Sequence, residues 1–283
     1  MKKITKIVAL VLAVVLMVTA FAACGGASNK VKCINVPLTD ELYAFGVSKD
    51  DPDLLKSVNE FVAQIKKDGT LDAVINKYFG DGEKTPIISA AEDKNKDQLV
   101  VATNAAFAPF EYKDGEAYYG IDMELAKLLA DKLGKELVIK NVEFEAVLQQ
   151  VDAGYADMAM AGLTVNEARK EFVNFSESYY TASQVIIAKE DDTTFDECKT
   201  AADVEAILKT LDKSTVIGVQ TGTTGEYYIK GDADWGFDGF NVTCTGYASG
   251  ALAVQDMING NIKYVVIDQA PALYITDSYN AQA

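Results

Sequence analysis

The sequence predicts an α/β protein of two lobes with a cleft between them. From Leu99 onward, short apolar strands alternate with amphipathic helices, a polar stretch after Lys189 interrupts the alternation, and the same grammar then restarts. The length agrees, because 283 residues at 49% apolar composition can fill one large core or two smaller ones.

The elements follow in order. Lys2, Lys3 and Lys6 precede an apolar run from Ile7 to Ala20 that closes on "FAAC", the layout of a secretory signal. "FAACGGASN" resembles the lipobox of bacterial lipoproteins, with Phe21 where Leu is commoner. This implies a signal over 1–23, acylation of Cys24 and a short tether over 24–30. No later stretch reaches the ~18 apolar residues that span a bilayer. Residues 69–80, "GTLDAVINKYFG", read as an amphipathic helix stopped by Gly80, and the polar segment 81–98 follows. That pattern is the end of a domain, yet it stands near the beginning of the chain.

Beyond it, "LVVAT" is a buried strand and "IDMELAKLLADKLG" a helix stopped by Gly134. "ELVIKNV" is a strand, "FEAVLQQVDAG" a helix stopped by Gly154, "ADMAMAG" a small-residue strand and "SQVIIAK" a longer one. The run is βαβαβ, the grammar of a parallel sheet covered by helices. "EDDTTFDECKTAADVEA" is a polar break. Then come the strand "TVIGVQ", a Gly/Thr turn opening a helix in "TGTTGEYYIKG", the helix "GALAVQDMINGN", the strand "IKYVVID" and the helix "QAPALYITDSYN".

Composition excludes several functions. Basic residues number 26 against 42 acidic ones, a formal charge of −16, so nucleic acid is not a partner. With no histidine there is no Ser/His/Asp or Cys/His triad and no His-ligated metal, and neither metal nor cofactor is expected. Arg169 is the sole arginine, hence the one source of a planar two-pronged donor. Besides Cys24 the cysteines are Cys33, Cys198 and Cys244, without C-x-x-C spacing; one disulfide plus a thiol, or three thiols, both fit.

Ligands of open α/β sheets sit at the carboxyl ends of strands. At such places stand Thr164, Arg169, Thr223, Thr224 and Asp268, with Phe107 in the loop after the first strand of the alternation. Amides at a Gly/Thr turn that starts a helix, together with the guanidinium, suit an anion; Asp268 suits an ammonium. One anion site and one cation site with aromatics between them describe an α-amino acid.

"ATNAAFAPFEY", "GIDMELAKLLADKLG", "AGLTVNEARKEFVNFSESYY", "GVQTGTTGE" and "VVIDQAPALY" together resemble the polar amino-acid binding proteins of ATP-driven importers, the family 3 extracellular solute-binding proteins. The resemblance implies a two-lobed type II periplasmic-binding-protein (Venus-flytrap) fold that closes on a free amino acid. It implies that Arg169 and Thr164 hold the α-carboxylate with Thr223 and Thr224 beyond Gly222. Asp268 would take the ammonium with main chain near Ala161 and Gly162, and Phe107, Phe144 and Asn104 would line the side-chain pocket. Phe110 and Asp122 are assigned to packing and turn structure.

In that family a "PLT-E-YG" crossover, two helices and a stop at "KYFG" follow the Asp strand, whereas here they occupy residues 31–80. The resemblance therefore implies a circular permutation with 81–98 bridging the former termini. Lobe 1 would run over 43–185, and 31–42 with 186–283 would form lobe 2. The expected partners are a small amino acid, an ABC permease with its ATPase, and a lipid anchor on the extracytoplasmic face of the cell membrane, the protein being a monomer and not an enzyme. Two alternatives stay open: an exported dehydratase of the same fold using Glu111 or Glu143, and a sensing component for a membrane receptor.

Overall fold

The structure, a computed structural model, describes residues 30–282. The signal and Cys24 lie outside the described residues.

Two five-stranded sheets organise the chain. One has the order β1 (Val31–Ile34), β12 (Gln184–Lys189), β15 (Tyr264–Asp268), β13 (Val216–Gln220) and β14 (Thr243–Tyr247). The other has the order β10 (Asn174–Phe175), β3 (Gly46–Val47), β9 (Met158–Ala159), β4 (Gln98–Thr103) and β8 (Glu136–Asn141). Each sheet has three mutually parallel strands at one side and two antiparallel pairings at the other. The sheets are thus mixed, not parallel as the alternation suggests. The antiparallel strands come from chain that returns from the opposite lobe, which no local periodicity encodes.

Alternation along the strands separates the faces. In β12, Val185 and Ile187 meet α8 (Gly250–Ile258) and α9 (Gln269–Asn280), while Ile186 and Ala188 meet α6 (Ala201–Leu208) and α7 (Thr224–Lys230). In β4, Leu99 and Val101 face α3 (Ile121–Leu133), and Ala102 faces α4 (Phe144–Asp152). Each fully buried Val, Ile or Leu contributes roughly 1.5–3 kcal/mol against exposure.

Two strands carry the chain between the lobes. β2 (Glu41–Tyr43) pairs antiparallel with β11 (Tyr180–Ala182), with Tyr43 opposite Tyr180 and Glu41 opposite Ala182. The segment ahead of residue 80 is divided by this crossing. β1 edges one sheet, whereas β3, α1 (Pro52–Asp68) and α2 (Thr70–Phe79) belong to the other lobe. There Leu54, Val58, Phe61, Leu71, Val74 and Tyr78 are buried. Lys77 pairs with Glu124 of α3, and Phe79 stacks on Tyr180 at 6.2 Å, so α2 braces the crossing strand. Gly80 ends α2 in extended geometry (φ −114°) rather than the left-handed turn seen at Gly134 (φ 71°).

Residues 81–98 are held along their second half. Ile87 exchanges backbone hydrogen bonds with Tyr118, in the hairpin sheet β5 (Ala106–Phe107), β6 (Glu111–Asp114), β7 (Ala117–Tyr119). Ala90 N–H donates to Leu137 O at 2.9 Å, and Ser89 Oγ accepts from Ile139 N–H at 2.9 Å.

Three further differences from the sequence reading have physical causes. "ADMAMAG" yields only the two-residue β9, because its chain turns into the site at Gly162 (φ 53°). The polar break contains α6, started by a capping box between Thr200 and Asp203, a signal in "TAAD" that the surrounding charge obscures. β14 lies at a sheet edge, where half-buried polar "TCTGY" gives little periodicity. Cys33, Cys198 and Cys244 are all free thiols, and burial raises the Cys33 thiol to about 12.

Candidate functional site

The cleft forms where the strands of both sheets end. β13 ends at Gln220, and the turn through Gly222 (φ 77°) starts α7 at Thr224; β15 ends at Asp268. From the other lobe β9 runs into Gly162 and Thr164, and Asn166 caps α5 (Glu167–Lys170) by accepting from Arg169 N–H at 2.8 Å. That single turn aims Arg169 inward, where it is only 6% exposed. Phe107, Phe144, Gly162, Thr164, Arg169, Gln220, Thr223, Thr224 and Asp268 line a cleft that is nearly filled, with a cavity of about 10 Å³.

The lobes touch at several points around it. Arg169 Nη1 donates to Thr164 O at 2.9 Å and Nη2 to Gly222 O at 3.2 Å, spanning the cleft. Its guanidinium lies between the Phe144 ring at 5.3 Å and the Trp235 ring at 5.0 Å. Thr224 and Thr164 hydroxyls are 3.2 Å apart, and Gln220 Nε2 donates to Asn104 Oδ1 at 3.0 Å. This is a closed arrangement.

Its electrostatics centre on one cation and several acids. Burial pulls the Arg169 guanidinium below its ordinary value while Glu41 and Asp268 support the charge. Burial pushes the Asp268 carboxyl up to about 7, the nearby Glu41 adding to the rise; the Tyr43 hydroxyl, donating to Oδ1 at 2.5 Å, opposes it. An ammonium reaching Asp268 would supply the missing counter-charge. Glu41 accepts from Thr39, Gln184 and Thr164, the last at 2.5 Å.

Each expected residue has a definite place. Thr223 spends its hydroxyl on Gln220 O at 2.7 Å, within the turn. Gly222 N–H donates to Glu226 at 2.7 Å, and a side chain at Gly222 would meet Glu145 Cγ at 2.8 Å. At Gly162 a Cβ would meet Phe107 Cε1 at 2.9 Å, so glycine lets the ring cover the cleft. Gly162 N–H donates to Asp122 Oδ2 at 3.0 Å, so this amide is already engaged. Ala161 is buried beside it without lining the cleft. Asn104 stands behind Gln220, not on the cleft wall itself.

Sequence reasoning missed Glu41, Tyr43, Gln220 and Trp235. Asp122, fully buried, accepts from both Gly162 N–H and Tyr179 Oη (2.6 Å) and so fixes the backbone of the site; burial lifts its carboxyl to about 6. Glu41 and Tyr43 had a visible signal. In "ELY" they share one side of an extended strand, and it is Leu42 between them that is 51% exposed. Trp235, the only tryptophan, carried no pattern at all.

Fold and site together define a two-lobed binding protein of the type II periplasmic kind. A match to the bacterial extracellular solute-binding proteins, family 3, covers residues 2–81 and 99–263, and the chain belongs to that family. It is 33% identical over 138 residues to the arginine-binding extracellular protein ArtP of Bacillus subtilis (strain 168), covering 49% of each chain. To the arginine-binding periplasmic protein of Mannheimia haemolytica it is 28% identical over 172 residues, 60% of this chain and 63% of that one. The chain thus spans about half to two thirds of the length of the curated relatives it matches. Among solved structures, an ancestral arginine-binding protein bound to arginine is similar at TM-score 0.55 and 33% identity, covering 66% of this chain and 76% of that one. An ancestral amino acid-binding protein, a precursor of cyclohexadienyl dehydratase, is similar at TM-score 0.55 and 27% identity, covering 74% and 78%.

Proposed function

We propose that the protein captures a free α-amino acid between its lobes and delivers it to an ABC permease with its ATPase, from a lipid anchor at Cys24 on the extracytoplasmic face of the cell membrane. The observation that carries this is the pair Arg169 and Asp268, the charged side chains that, among the described residues, line a cleft both lobes close. Arg169 and the Thr164 main chain take the carboxylate with the amides of the Thr223–Thr224 turn, since the Thr164 and Thr223 hydroxyls donate to Glu41 and to Gln220 O; Asp268 takes the ammonium with the Gly162 carbonyl. Relatives named for arginine support the class of ligand. The protein acts as a monomer.

The lobes are assigned as 43–185 and as 31–42 with 186–283, in a circularly permuted order. Three observations support this. β1 completes one sheet while β3, α1 and α2 complete the other lobe. The family match breaks off after residue 81 and resumes at 99, leaving out the segment read as the bridge. Asn280 meets Val31 through two hydrogen bonds, of 3.0 and 2.8 Å, so the two ends of the described chain are adjacent.

The dehydratase reading draws on the precursor structure. Its two candidate carboxylates lie off the cleft, Glu111 fully buried and Glu143 exposed. A thermal-shift screen of free L-amino acids tests the proposal, since a ligand that binds only the folded state raises stability by RT ln(1 + [L]/Kd). At least one is expected to raise Tm saturably; a screen in which none does defeats the proposal. Prephenate or arogenate turnover would favour the enzyme instead.

A further inference from the structure

Behind the cleft wall one amide serves two buried carboxylates. Gln184 opens β12 opposite Asp268, the last residue of β15, so their side chains are same-face neighbours of an antiparallel pair. Its backbone is pinned by the segment that leads into β2: the N–H donates to Thr39 Oγ1 at 2.9 Å, and the carbonyl accepts from Leu38 N–H at 2.9 Å. The side chain is fully buried and lies off the cleft wall. Nε2 donates to Glu41 Oε1 at 2.9 Å, and the same amide supports the Asp268 carboxylate. Carboxylates only accept, so the NH₂ must face them, and the amide oxygen turns to Gly225, where a Cβ would meet it at 2.8 Å. That oxygen has no hydrogen-bond partner. Buried acceptors are normally satisfied; here one stays unsatisfied so that the N–H groups can serve acids.

Glu41 carries the arrangement across to the other lobe, since its second oxygen accepts from Thr164 Oγ1 at 2.5 Å. Resting on the amino-acid reading above, we propose that Gln184 is a positioning residue of the ammonium site: bonded to Glu41 and Asp268 at once, it holds Asp268 at the cleft and fixes the separation of the two like charges, without touching the ligand itself. Left alone, two carboxylates sharing a buried site repel. The groups that feel the Asp268 charge are Glu41 and Tyr43 of β2, Tyr180 of β11, Arg169 of α5 and Glu111 of β6. Within that set Glu41 and Gln184 act in opposite directions: the Glu41 charge makes Asp268 harder to ionise, and the amide makes it easier. A residue that only filled space would do neither.

Calorimetry on the intact protein from about pH 5 to 9 decides it, the probe being the L-amino acid that raises Tm most in a screen of the proteinogenic set. Gln184→Met keeps the length of the side chain but has no donor. It is expected to bind about 3- to 10-fold more weakly than wild type at the alkaline end. The pH below which affinity falls should also move up, so that the gap widens toward acid pH. Glu41→Gln should move the same break down, because the neighbouring charge is gone, and it decides the matter alone should Gln184→Met not fold. A Gln184→Met protein whose break stays where the wild type has it overturns the proposal, whether affinity is unchanged or lowered evenly, since an even loss is what a packing residue gives. A Glu41→Gln break that fails to move down overturns it too, as does a wild type that binds with no break. A wild type that binds no amino acid defeats the amino-acid reading itself, whereas one that binds and shows the break leaves that reading standing whatever Gln184→Met does.

Discussion

Tyr43, on a strand that crosses between the lobes, donates its hydroxyl to Asp268, the residue that ends β15 in the other lobe. The bond makes Asp268 easier to ionise, while burial and Glu41 keep its carboxyl raised to about 7. An ammonium needs the ionised form. Below about 7 the ligand-free closed site holds a proton that binding must expel. Affinity is therefore expected to fall by up to about tenfold per pH unit as pH drops from 7 toward 5, and to level off above 7. Tyr43→Phe should shift that break upward. Calorimetry at several pH values checks both, and a flat profile between 5 and 7 would contradict the role given to Asp268.

Arg169→Ala should weaken amino-acid binding by roughly 100-fold or more, because a ligand carboxylate would then be enclosed without its bidentate partner. Arg169→Lys should recover only part of the loss, since a lysine can neither fork onto a carboxylate nor bridge Thr164 O and Gly222 O as the guanidinium does. Equal affinity of the arginine and lysine proteins would rule out the forked contact.

Glu111 offers a test through stability alone. It is fully buried, neither carboxyl oxygen has a hydrogen-bond partner, and burial with Asp122 and Asp268 nearby raises it well above its ordinary value. A carboxyl raised on folding favours the folded state below its unfolded value, and that contribution is lost as pH rises. Glu111→Gln stays neutral at every pH. The Tm difference between variant and wild type, both ligand-free, should thus grow in the variant's favour from about pH 4.5 to 8, where a constant difference would show that Glu111 does not titrate in this way.

Trp235 should report closure. It stacks on Tyr227 at 4.3 Å and faces Arg169 of the opposite lobe at 5.0 Å, and it is the only tryptophan. Ligand titration should give a saturable change in its emission. Trp235→Ala should weaken binding by about 2- to 30-fold, the span of a cation–π contact of roughly 0.5–2 kcal/mol. No emission change on a binding event seen calorimetrically would place Trp235 outside the moving interface.

That Thr164, Arg169 and Asp268 meet at one cleft was legible in the sequence because they lie where apolar strands stop; strand ends and the scarcity of arginine were enough. The helices with clean apolar faces and glycine stops, such as Ile121–Leu133, were legible for the same local reason. What was not legible depends on chain returning from the other lobe. Glu41 and Tyr43 come from residues far ahead of β15, and Gln220 matters only because Asn104, 116 positions earlier, is turned toward it. Capping explains the rest, since α6 was hidden inside a charged stretch although Thr200 and Asp203 form its start.

The proposed permutation can be tested by reversing it. Joining residue 282 to 31 through a short flexible linker and opening the chain between Gly80 and Thr85 would give the order in which β1, β2 and the two helices follow β15 and α9. Little packing would be lost. Asn280 already clasps Val31, and Ile87, Ser89 and Ala90, which do hold the bridge in place, would stay attached to β7 and β8. Residues 81–84 are exposed or half-buried, so cutting there removes no core. Exchanging one short connection for another changes loop-closure entropy by about 1 kcal/mol or less. The reordered protein, expressed without the signal, should melt within about 5 °C of the original, a shift of that order for a protein of this size. It should also bind its amino acid within about threefold, because no cleft residue is touched. A reordered chain that fails to fold, or folds but no longer binds, would count against the proposed permutation.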